Sequence, residues 1–593
     1  MQITRPELQG SFGAVSSTHW LPSIVGMGML ERGGNAFDAV VAAGFVLQVV
    51  EPHQNGLGGD VPLVGYDARQ KRRFVLCGQG PAPARATIAA YHAAGLDAVP
   101  GTGLMAAVIP GAFDAWMQLL RDHGTMRVRD VLEPAIAYAR NGYPVTKQLS
   151  KYIGGVAEVL ATHWPDSAAV YLVGRAAPAP GSIQRNGKLA DTYERILKEA
   201  ECAKGGREAE IEAARNAYYR GFVAEAIGKF CESERPDGTG GRQRGLLAAN
   251  DLSKYEATYE AAAEYEYHGI TVAKTGPWGQ GPAFLQTLAL LEGFDVASLE
   301  PNGADFVHLL AECLKLAMVD RDAYYGDPDF TDVPLATLLS KDYNDARRKL
   351  IGKTASHELR PGAVGGKPGR LPQALFRAPD PARRRTAAEG EPNRVHMGAE
   401  GGDTVNVNVI DRYGNFVSAM PSGGWLQSSP VIPELGFCLG TRAQMFWLEE
   451  GLPSSLAPGK RPRTTLTPGL AFRDGKPFMA FGSPGGDGQD QWALQFFLRH
   501  VHHGMNLQEA IEAPAFVTDH PPSSFHPREA KPGHLAVEDR FGEATIEELR
   551  RRGHRVEVQD GWAIGRLQAC SQEDGLIRAA ANPRTGHAYA VAR

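Results

Sequence analysis

The sequence lacks both the paired cysteines of a disulfide scaffold and the long hydrophobic runs of a membrane protein. Its six cysteines are scattered singly through 593 residues, without the close spacing of a zinc site. The longest charge-free stretches, 39–50 and 275–291, are shorter than an ordinary membrane-spanning helix. Residues 1–7 do not lead a basic segment into an apolar run. We therefore expect reduced thiols, no bound metal, no membrane partner and a cytoplasmic protein.

The sequence also lacks a surplus of charge of either sign. It holds 62 Lys and Arg against 67 Asp and Glu, and the formal net charge is −5. A tight basic run at 383–385 lies in a polar segment and is typical of a solvated surface. Because so small a net charge produces no field that would attract a polyanion, we expect no nucleic-acid partner.

Three glycine-rich stretches, 56–60, 276–281 and 482–488, raise the question of nucleotide binding. None ends in the Gly-Lys-Ser/Thr of a phosphate loop, and none has the Gly-x-Gly-x-x-Gly pattern of a dinucleotide site, so we expect no nucleotide cofactor. Gly485 and Gly486 lie between a predicted strand and a predicted helix, where consecutive backbone N–H groups can converge on an anion. The alternative interpretation is a tight turn that needs positive φ.

The order of predicted elements favours a layered α/β fold. Helical patterns, including a buried helix capped by Asn35, fill much of the first 350 residues. Residues 352–403 are rich in Pro, Gly, Arg and Lys without periodicity, and we predict a flexible linker there. Strand patterns cluster after Thr404, and residues 468–481 are predicted to form a hairpin.

Thr404 opens a stretch in which polar and apolar residues alternate, the period of a strand with one buried face. It directly follows the predicted linker. Cleavage between Asp403 and Thr404 would give Thr404 a free α-amine beside its own hydroxyl, and such an amine can serve as the base for that hydroxyl. The alternative is an ordinary threonine at the start of a strand, since threonine is a good strand former.

The motifs of the chain resemble those of the γ-glutamyltransferases (γ-glutamyltranspeptidases), members of the N-terminal nucleophile hydrolase superfamily. The resemblance spans nearly the whole chain. The Thr404 strand and the glycine stretch at 482–486 are specific in combination. The segments that carry the resemblance are 33–39, 55–59, 110–111, 219–221, 325–330, 403–415, 460–468 and 482–486.

The resemblance implies a four-layer αββα sandwich and a precursor that cleaves itself before Thr404. A large chain, 1–403, and a small chain, 404–593, would form one intertwined unit, which could itself dimerise. Thr404 would be the nucleophile, Gly485 and Gly486 would stabilise the oxyanion, and Ser422 would hydrogen-bond the nucleophile. No cofactor is implied.

The sequence departs from the family where the α-carboxylate of glutamate is bound. The family uses an arginine of the large chain, and the corresponding position here is Ile88. Arg85 is close in sequence but is not at that position. Two family serines that grip the carboxylate are replaced by Thr464 and Thr465, which keep a hydroxyl group.

The α-amine site of the family is altered as well. An asparagine of the family is Gly424 here, and a later Gln and Asp correspond to Arg442 and Met445. A cation at this place would repel a free amino group and attract an anionic acyl group. Trp425 and Gln427 are candidate pocket residues. The alternative for Arg442 is an ordinary surface ion pair.

These observations predict a threonine hydrolase or acyltransferase that acts on γ-glutamyl-type amides with a rebuilt acyl specificity, using water or an amine as acceptor. One alternative is a true γ-glutamyltransferase whose ligands come from other positions. Another is an acylase for dicarboxylic half-amides without an amine, such as glutaryl amides, as in the cephalosporin acylase-like branch that the sequence also resembles. A third is an uncleaved, inactive homologue that acts as a binding protein.

Overall fold

Two antiparallel sheets lie face to face at the centre of the molecule. In the computed structural model, residues 3–237, 241–376 and 404–593 are described. The nucleophile sheet has the strand order Tyr589–Ala592, Gly13–Ser17, Val407–Asp411, Phe416–Ala419, Val61–Asp67, Arg72–Gly78 and Thr258–Glu260. The glycine-loop sheet has the order Leu8–Gly10, Leu576–Ala581, Gln568–Glu573, Lys476–Gly482, Gly469–Arg473, Ile270–Lys274 and Ala263–Tyr267.

An apolar cluster joins the two sheets. Ile410 and Phe416 of the nucleophile sheet belong to one buried cluster with Leu470, Phe472 and Ala480 of the glycine-loop sheet. Because side chains alternate along a strand, each sheet sends its other set of side chains outward to helices.

Helices cover the outer face of each sheet and complete four layers. Those packed on the nucleophile sheet are Trp20–Glu31, Ala36–Val50, Ala112–Asp122, Val128–Asn141, Lys147–His163, Pro165–Tyr171, Gly187–Glu201, Arg207–Tyr219, Phe222–Glu232 and Ala249–Leu252. Those packed on the glycine-loop sheet are Gly281–Leu291, Ala304–Tyr324, Leu335–Leu338, Lys341–Arg348, Gln489–His503, Leu507–Glu512 and Glu543–Arg551. The predicted αββα sandwich is confirmed.

Smaller elements lie outside these layers. A short helix, Ile88–Ala93, packs in a separate apolar cluster with Phe446 and Leu456. The remaining strands pair as Tyr143–Pro144 with Ile183–Gln184, Arg235–Pro236 with Arg242–Gln243, Ala363–Val364 with Lys367–Pro368, and Phe516–Val517 with His534–Glu538 and Arg555–Gln559. Within the described ranges, no helix is long and apolar enough to cross a membrane.

Several helices and strands form where local sequence patterns predicted them. Asn35 caps the helix Ala36–Val50 in a capping box with Asp38, as predicted, and every residue of that helix is buried. The predicted hairpin forms between Gly469–Arg473 and Lys476–Gly482. Its turn residues have the positive φ that a tight hairpin turn requires.

The strand predicted to begin at Thr404 starts three residues later, at Val407. Thr404 instead forms an isolated antiparallel bridge with Ser422. The expectation of a single buried face is wrong, because both faces of Val407–Asp411 are buried. The polar side of the strand faces the glycine-loop sheet, where Asn408 Nδ2 donates to Gln568 O at 3.0 Å.

The predicted linker is packed where it is described. Residues 352–376 contain a two-stranded pair and the short helix Gln373–Phe376. Gly362 N donates to Asp320 Oδ1 at 2.7 Å, which fastens this segment to the helix Ala304–Tyr324. The prediction of a flexible linker is therefore wrong for residues 352–376, because the backbone there is hydrogen-bonded to a buried side chain. The rest of it, 377–403, including Asp403 and the basic run, lies outside the described residues.

Both sheets combine strands from before residue 403 with strands from after residue 404. In the nucleophile sheet, Val407–Asp411 lies beside Gly13–Ser17, and Phe416–Ala419 lies beside Val61–Asp67. Two chains produced by cleavage before Thr404 would therefore share both sheets. The division into 1–403 and 404–593 itself stays a prediction.

Candidate active site

Thr404 lies buried where the nucleophile sheet ends, beside the residue predicted to support it. Its Oγ1 is 3.3 Å from Ser422 Oγ. Backbone pairing fixes this approach, because Thr404 and Ser422 are bridge partners and Val405 N donates to Pro421 O at 3.1 Å. The two hydroxyl groups predicted to act together are therefore neighbours in space.

The glycine loop, 482–488, follows the strand Lys476–Gly482 and leads directly into a helix. Gly485 has φ +125° and Gly486 has φ +56°, a region that side chains with a Cβ rarely adopt. A Cβ on Gly485 would lie 2.1 Å from the Trp492 ring, and one on Gly486 would lie 3.0 Å from Phe525. Both glycines are therefore required by the turn, as the alternative interpretation held, and they still present consecutive N–H groups.

Gln489, the first residue of the helix Gln489–His503, links the glycine loop to Thr404. One end of its side-chain amide is 3.4 Å from Thr404 Oγ1 and 3.5 Å from Thr465 Oγ1. Sequence reasoning missed this residue. The available signal was its position just after a glycine loop, where a side chain returns toward the loop.

Thr464 and Thr465 are fully buried between the two sheets and the glycine loop. Thr464 N donates to Trp278 O at 2.9 Å, which holds this pair in place. The Gln489 amide that contacts Thr404 also contacts Thr465 Oγ1. The predicted hydroxyl pair is therefore brought to the Thr404 side of the fold.

Arg442 does not lie at the surface. Its Nε and Nη2 donate to Asp60 Oδ2 and Oδ1 at 2.8 and 2.9 Å, and both side chains are at least 97% buried. Asp60 in turn pairs through its backbone with Ser422. The alternative prediction of a surface ion pair is wrong, because this pair is buried. Arg442 is not an unpaired cation either, because Asp60 binds it. Of the three guanidinium nitrogens of Arg442, only Nη1 has no hydrogen-bond partner among the described residues.

The other predicted pocket residues lie close to this ion pair. Trp425 forms a small buried cluster with Met445 and Phe525, and the Arg442 guanidinium lies 5.6 Å from the centre of its ring. Phe525 is also the ring that faces Gly486. This cluster gives the site an apolar wall between the glycine loop and the ion pair.

The Gln427 side chain is hydrogen-bonded to the backbone of His53. Its Nε2 donates to His53 O at 3.2 Å, and its buried Oε1 has no partner within the described ranges. Trp425 is held by the adjacent backbone group, since its Nε1 donates to Gln54 O at 2.8 Å. A substrate-binding role for Gln427 stays a prediction.

Sequence reasoning also missed Arg463, which directly precedes the threonine pair. Its Nη2 lies 3.2 Å from Asp322 Oδ1 and 2.9 Å from Ser524 Oγ. Its buried Nη1 has no hydrogen-bond partner in the described residues. Arg321 bridges Asp322 and Asp487, the residue after Gly486.

This group of buried charges shifts the ionisation of its members. Burial alone would raise the pKa of Asp487, but Arg321 and Arg463 together hold it at about 2. Burial and the neighbouring Arg321 lower the pKa of Arg463 to about 10. Burial and Arg463 lower the pKa of Arg528 to about 9. Asp487 is therefore ionised. Positive charges outnumber negative charges within this buried group.

Ile88 occupies the first position of the helix Ile88–Ala93, so the family arginine has no direct substitute there. Arg85 does not compensate. Its Nε donates to Leu246 O at 3.0 Å, and its Nη2 donates to the carbonyl groups of neighbouring residues.

One buried group within the described ranges could in principle hold a metal ion, His308, Glu312 and His554. His308 Nδ1 and His554 Nε2 are 2.8 Å apart, a direct hydrogen bond. Glu312 Oε1 accepts from Lys315 Nζ at 2.6 Å. The two histidines are bonded to each other and Glu312 is paired with Lys315, so we assign no metal here.

The family of the chain follows from its comparison with known proteins. The γ-glutamyltranspeptidase family model matches residues 23–592. The chain belongs to the γ-glutamyltranspeptidase family. Members of this family are hydrolases and transferases, so the predicted enzyme class is confirmed.

Relatives of the chain fall into both functional groups that the sequence predicted. The glutathione hydrolase-like YwrD proenzyme of Bacillus subtilis (strain 168) is 31% identical over 580 residues, covering 97% of each chain. A solved structure of LmbA2991HD is 52% identical with a TM-score of 0.93, covering 100% of both chains. A cephalosporin acylase from Bacillus halodurans is 27% identical with a TM-score of 0.82, covering 100% of this chain and 98% of that one.

Membership of the γ-glutamyltranspeptidase family defines the reaction class but not the substrate. The curated relatives are proenzymes, which implies a precursor processed into a large and a small chain. They also imply small-molecule substrates. The hypothesis of an inactive binding protein is not favoured by any of these similarities.

Proposed function

We propose that Thr404 is the nucleophile of a self-processing amidohydrolase or acyltransferase. Once the bond between Asp403 and Thr404 is cleaved, the new α-amine can take the proton of the Thr404 hydroxyl. Oγ1 attacks the amide carbonyl, the leaving amine takes that proton, and an ester to Thr404 remains. Water or an acceptor amine then releases the acyl group and restores the hydroxyl. The 3.3 Å distance between Thr404 Oγ1 and Ser422 Oγ supports this assignment.

The oxyanion of the attacked carbonyl is assigned to the N–H groups of Gly485 and Gly486. Their positive φ values turn consecutive N–H groups toward one side of the loop. The loop lies beside Thr404, because Gln489 contacts both the nucleophile and the loop. Fixed donors of this kind are effective since they need no reorganisation when charge develops.

For the acyl group, we propose an acid that carries a carboxylate but no α-amine. The observation that carries this proposal is the pairing of Asp60 with Arg442, which neutralises the Asp60 carboxylate as a partner for an ammonium group. The other carboxylates of the site, Asp322 and Asp487, are both paired with Arg321. A buried ammonium without a counter-charge would be strongly disfavoured.

A surplus of positive charge supports the same proposal. Near the glycine loop, three buried arginines, Arg321, Arg463 and Arg528, face two aspartates. In the part of the chain that is described, no carboxylate pairs with Arg528, which stacks 4.0 Å above the Trp447 ring. Arg463 Nη1 is unpartnered and lies one residue before the threonine pair. A substrate carboxylate would supply the missing negative charge and the missing acceptor.

The test compares three p-nitroanilides that differ only in the acyl group: glutaryl, γ-glutamyl and pentanoyl. We expect kcat/KM to be highest for glutaryl-p-nitroanilide, lower for the γ-glutamyl compound because of its ammonium, and lower for pentanoyl because it lacks the carboxylate. Arg463→Met should remove the advantage of glutaryl over pentanoyl and leave the pentanoyl rate nearly unchanged. A γ-glutamyl rate well above the glutaryl rate would instead indicate a true γ-glutamyltransferase.

The remaining parts of the proposal concern acceptor and assembly. We propose that water and amines compete for the acyl-enzyme, which product analysis with a dipeptide acceptor would measure. We further propose that the large and small chains remain associated after cleavage, because they would share both sheets. A dimer of these units and a cytoplasmic location stay predictions, to be tested by light scattering and by cell fractionation.

A further inference from the structure

Three hydrogen-bond donors surround one end of the Gln489 side chain. That end is 3.4 Å from Thr404 Oγ1, 3.5 Å from Thr465 Oγ1 and 3.2 Å from Gly486 N. The other end is 3.0 Å from Thr465 O and 3.3 Å from Ser483 O. Gln489 is fully buried, so its amide is not exposed to bulk solvent.

The identity of the partners decides the orientation of the amide. Two backbone carbonyl oxygens can only accept, so the end that faces Thr465 O and Ser483 O is the NH2 group. The end that faces Gly486 N–H is therefore the carbonyl oxygen. This oxygen accepts from Gly486, one of the two glycines assigned to the oxyanion, and lies within reach of the nucleophile's hydroxyl.

We propose that Gln489 is a positioning residue of the active site, whose Oε1 occupies the oxyanion position of the free enzyme. An oxygen that accepts from Gly486 N–H beside Thr404 Oγ1 lies where the carbonyl oxygen of a substrate would bind. The amide oxygen keeps the Gly486 N–H satisfied and correctly turned until the substrate oxygen displaces it. The NH2 group stays anchored to Thr465 O and Ser483 O and holds Thr465 against the loop.

This inference rests on the proposed role of Thr404 but not on the acyl preference. The assay therefore uses whichever p-nitroanilide is turned over fastest, and rates are expressed per processed Thr404 N-terminus. Failure of the proposed function is recognised separately, because Thr404→Ala would then retain turnover. The proton of the Thr404 hydroxyl still passes to the α-amine, since an amide oxygen is too weak a base to take it.

The decisive variant is Gln489→Glu, which preserves the shape of the side chain and replaces its NH2 group with an ionisable oxygen. Above the pKa of the new carboxyl group, its negative charge would repel the developing oxyanion, and we expect kcat to fall about 10²-fold, comparable with losing an oxyanion donor. Burial raises the pKa of a carboxyl group. As pH falls and the group protonates, the ratio of variant to wild-type kcat should rise again, while KM changes little.

Two further variants separate positioning from folding. Gln489→Met is uncharged, so its rate relative to wild type should be low but independent of pH. Gln495→Glu is the matched control, because Gln495 is a buried glutamine of the same helix whose amide binds both backbone groups of Phe516. We expect Gln495→Glu to lower stability and to leave kcat and its pH dependence unchanged.

Processing of each variant is followed by denaturing electrophoresis. If Gln489→Glu is not processed near neutral pH, the rate of self-cleavage is measured against pH, and it should rise relative to wild type as pH falls. Equal pH profiles for Gln489→Glu and Gln489→Met would overturn the proposal. So would a Gln489→Met enzyme with wild-type kcat.

Discussion

The region proposed for chemistry and the region proposed for acyl recognition are built from different kinds of interaction. The chemical region, Thr404 with Gly485 and Gly486, is held by strand pairing, loop conformation and neutral hydrogen bonds. The acyl-recognition region, the Asp60–Arg442 pair with Arg463, is held by buried charges. The two regions meet at Ser422, whose backbone pairs with both Thr404 and Asp60.

This difference explains how one family can vary its substrates and keep its reaction. Backbone donors and a threonine hydroxyl do not depend on the charge of the acyl group. Recognition depends on the charge balance of a few buried side chains, which single substitutions can reverse. We therefore expect substitutions in the chemical region to abolish turnover, and substitutions in the acyl-recognition region to change preference and stability.

The largest effect is expected for Thr404→Ala. Loss of the nucleophile should prevent self-cleavage and reduce turnover by several orders of magnitude, since removing a catalytic nucleophile can cost on the order of 10⁶ in kcat. Denaturing electrophoresis with N-terminal sequencing measures processing, and Thr404→Ser serves as the control that keeps a hydroxyl. A processed and active Thr404→Ala protein would place the chemistry elsewhere.

Gly485→Ala should have the next largest effect. The added Cβ would lie 2.1 Å from the Trp492 ring at φ +125°, so the loop must move and turn its N–H groups away. We expect kcat to fall by roughly 10²–10³-fold, the loss seen for an oxyanion donor.

The matched control for this variant is Gly475→Ala. Gly475 also has positive φ, at +73°, but lies in the hairpin turn with open space around it. It should lose about 1 kcal/mol of stability through backbone strain and keep its kcat. Equal losses of kcat in the two variants would show that strain in general, and not the oxyanion loop, is responsible.

Arg442→Gln would free the Asp60 carboxylate to bind the α-amine of a γ-glutamyl group. It leaves Asp60 buried without its partner, which should cost about 3–5 kcal/mol of stability. The freed carboxylate should raise the preference for γ-glutamyl over glutaryl p-nitroanilide by about tenfold, a change of about 1.4 kcal/mol. Urea unfolding and the ratio of kcat/KM values measure the two effects.

Arg584→Gln provides the comparison for Arg442→Gln. Arg584 binds Glu538 through two nitrogens, and both side chains are buried, away from Thr404. Its loss should destabilise the protein without changing acyl preference. If both variants leave the preference unchanged, the Asp60–Arg442 pair is purely structural.

The smallest effect concerns acid stability near the glycine loop. The pKa of Asp487 is about 2 in the folded protein, against an ordinary value of 3.8. A carboxyl group with a depressed pKa stabilises the fold above its unfolded pKa, and this stability is lost as pH falls toward the folded value. The shift corresponds to about 2 kcal/mol. We expect the stability difference between wild type and Asp487→Asn to shrink as pH falls from 5 to 2. A constant difference would contradict the ionised aspartate.

Much of the fold could be predicted because the signals are local. The capping box of Asn35 and Asp38 spans three residues, and the hairpin at 469–482 is closed by a two-residue turn. Such interactions form between neighbours in sequence, so the residues themselves determine them. The strand at 407–411 was only partly predicted, because its burial on both faces depends on a second sheet that alternation does not reveal.

By itself, the sequence determined the local elements, the family and the residues that resemble its chemical machinery, with Thr404 as the predicted nucleophile. Only the tertiary structure decided which charged groups of the site are paired. Asp60 and Arg442 are 382 residues apart, and they meet because adjacent segments of the fold bring them together. Gln489 was likewise assigned only through its contacts with Thr404 and Gly486. The physical reason is that pairing and burial are properties of three-dimensional neighbours, which residue identity alone does not specify.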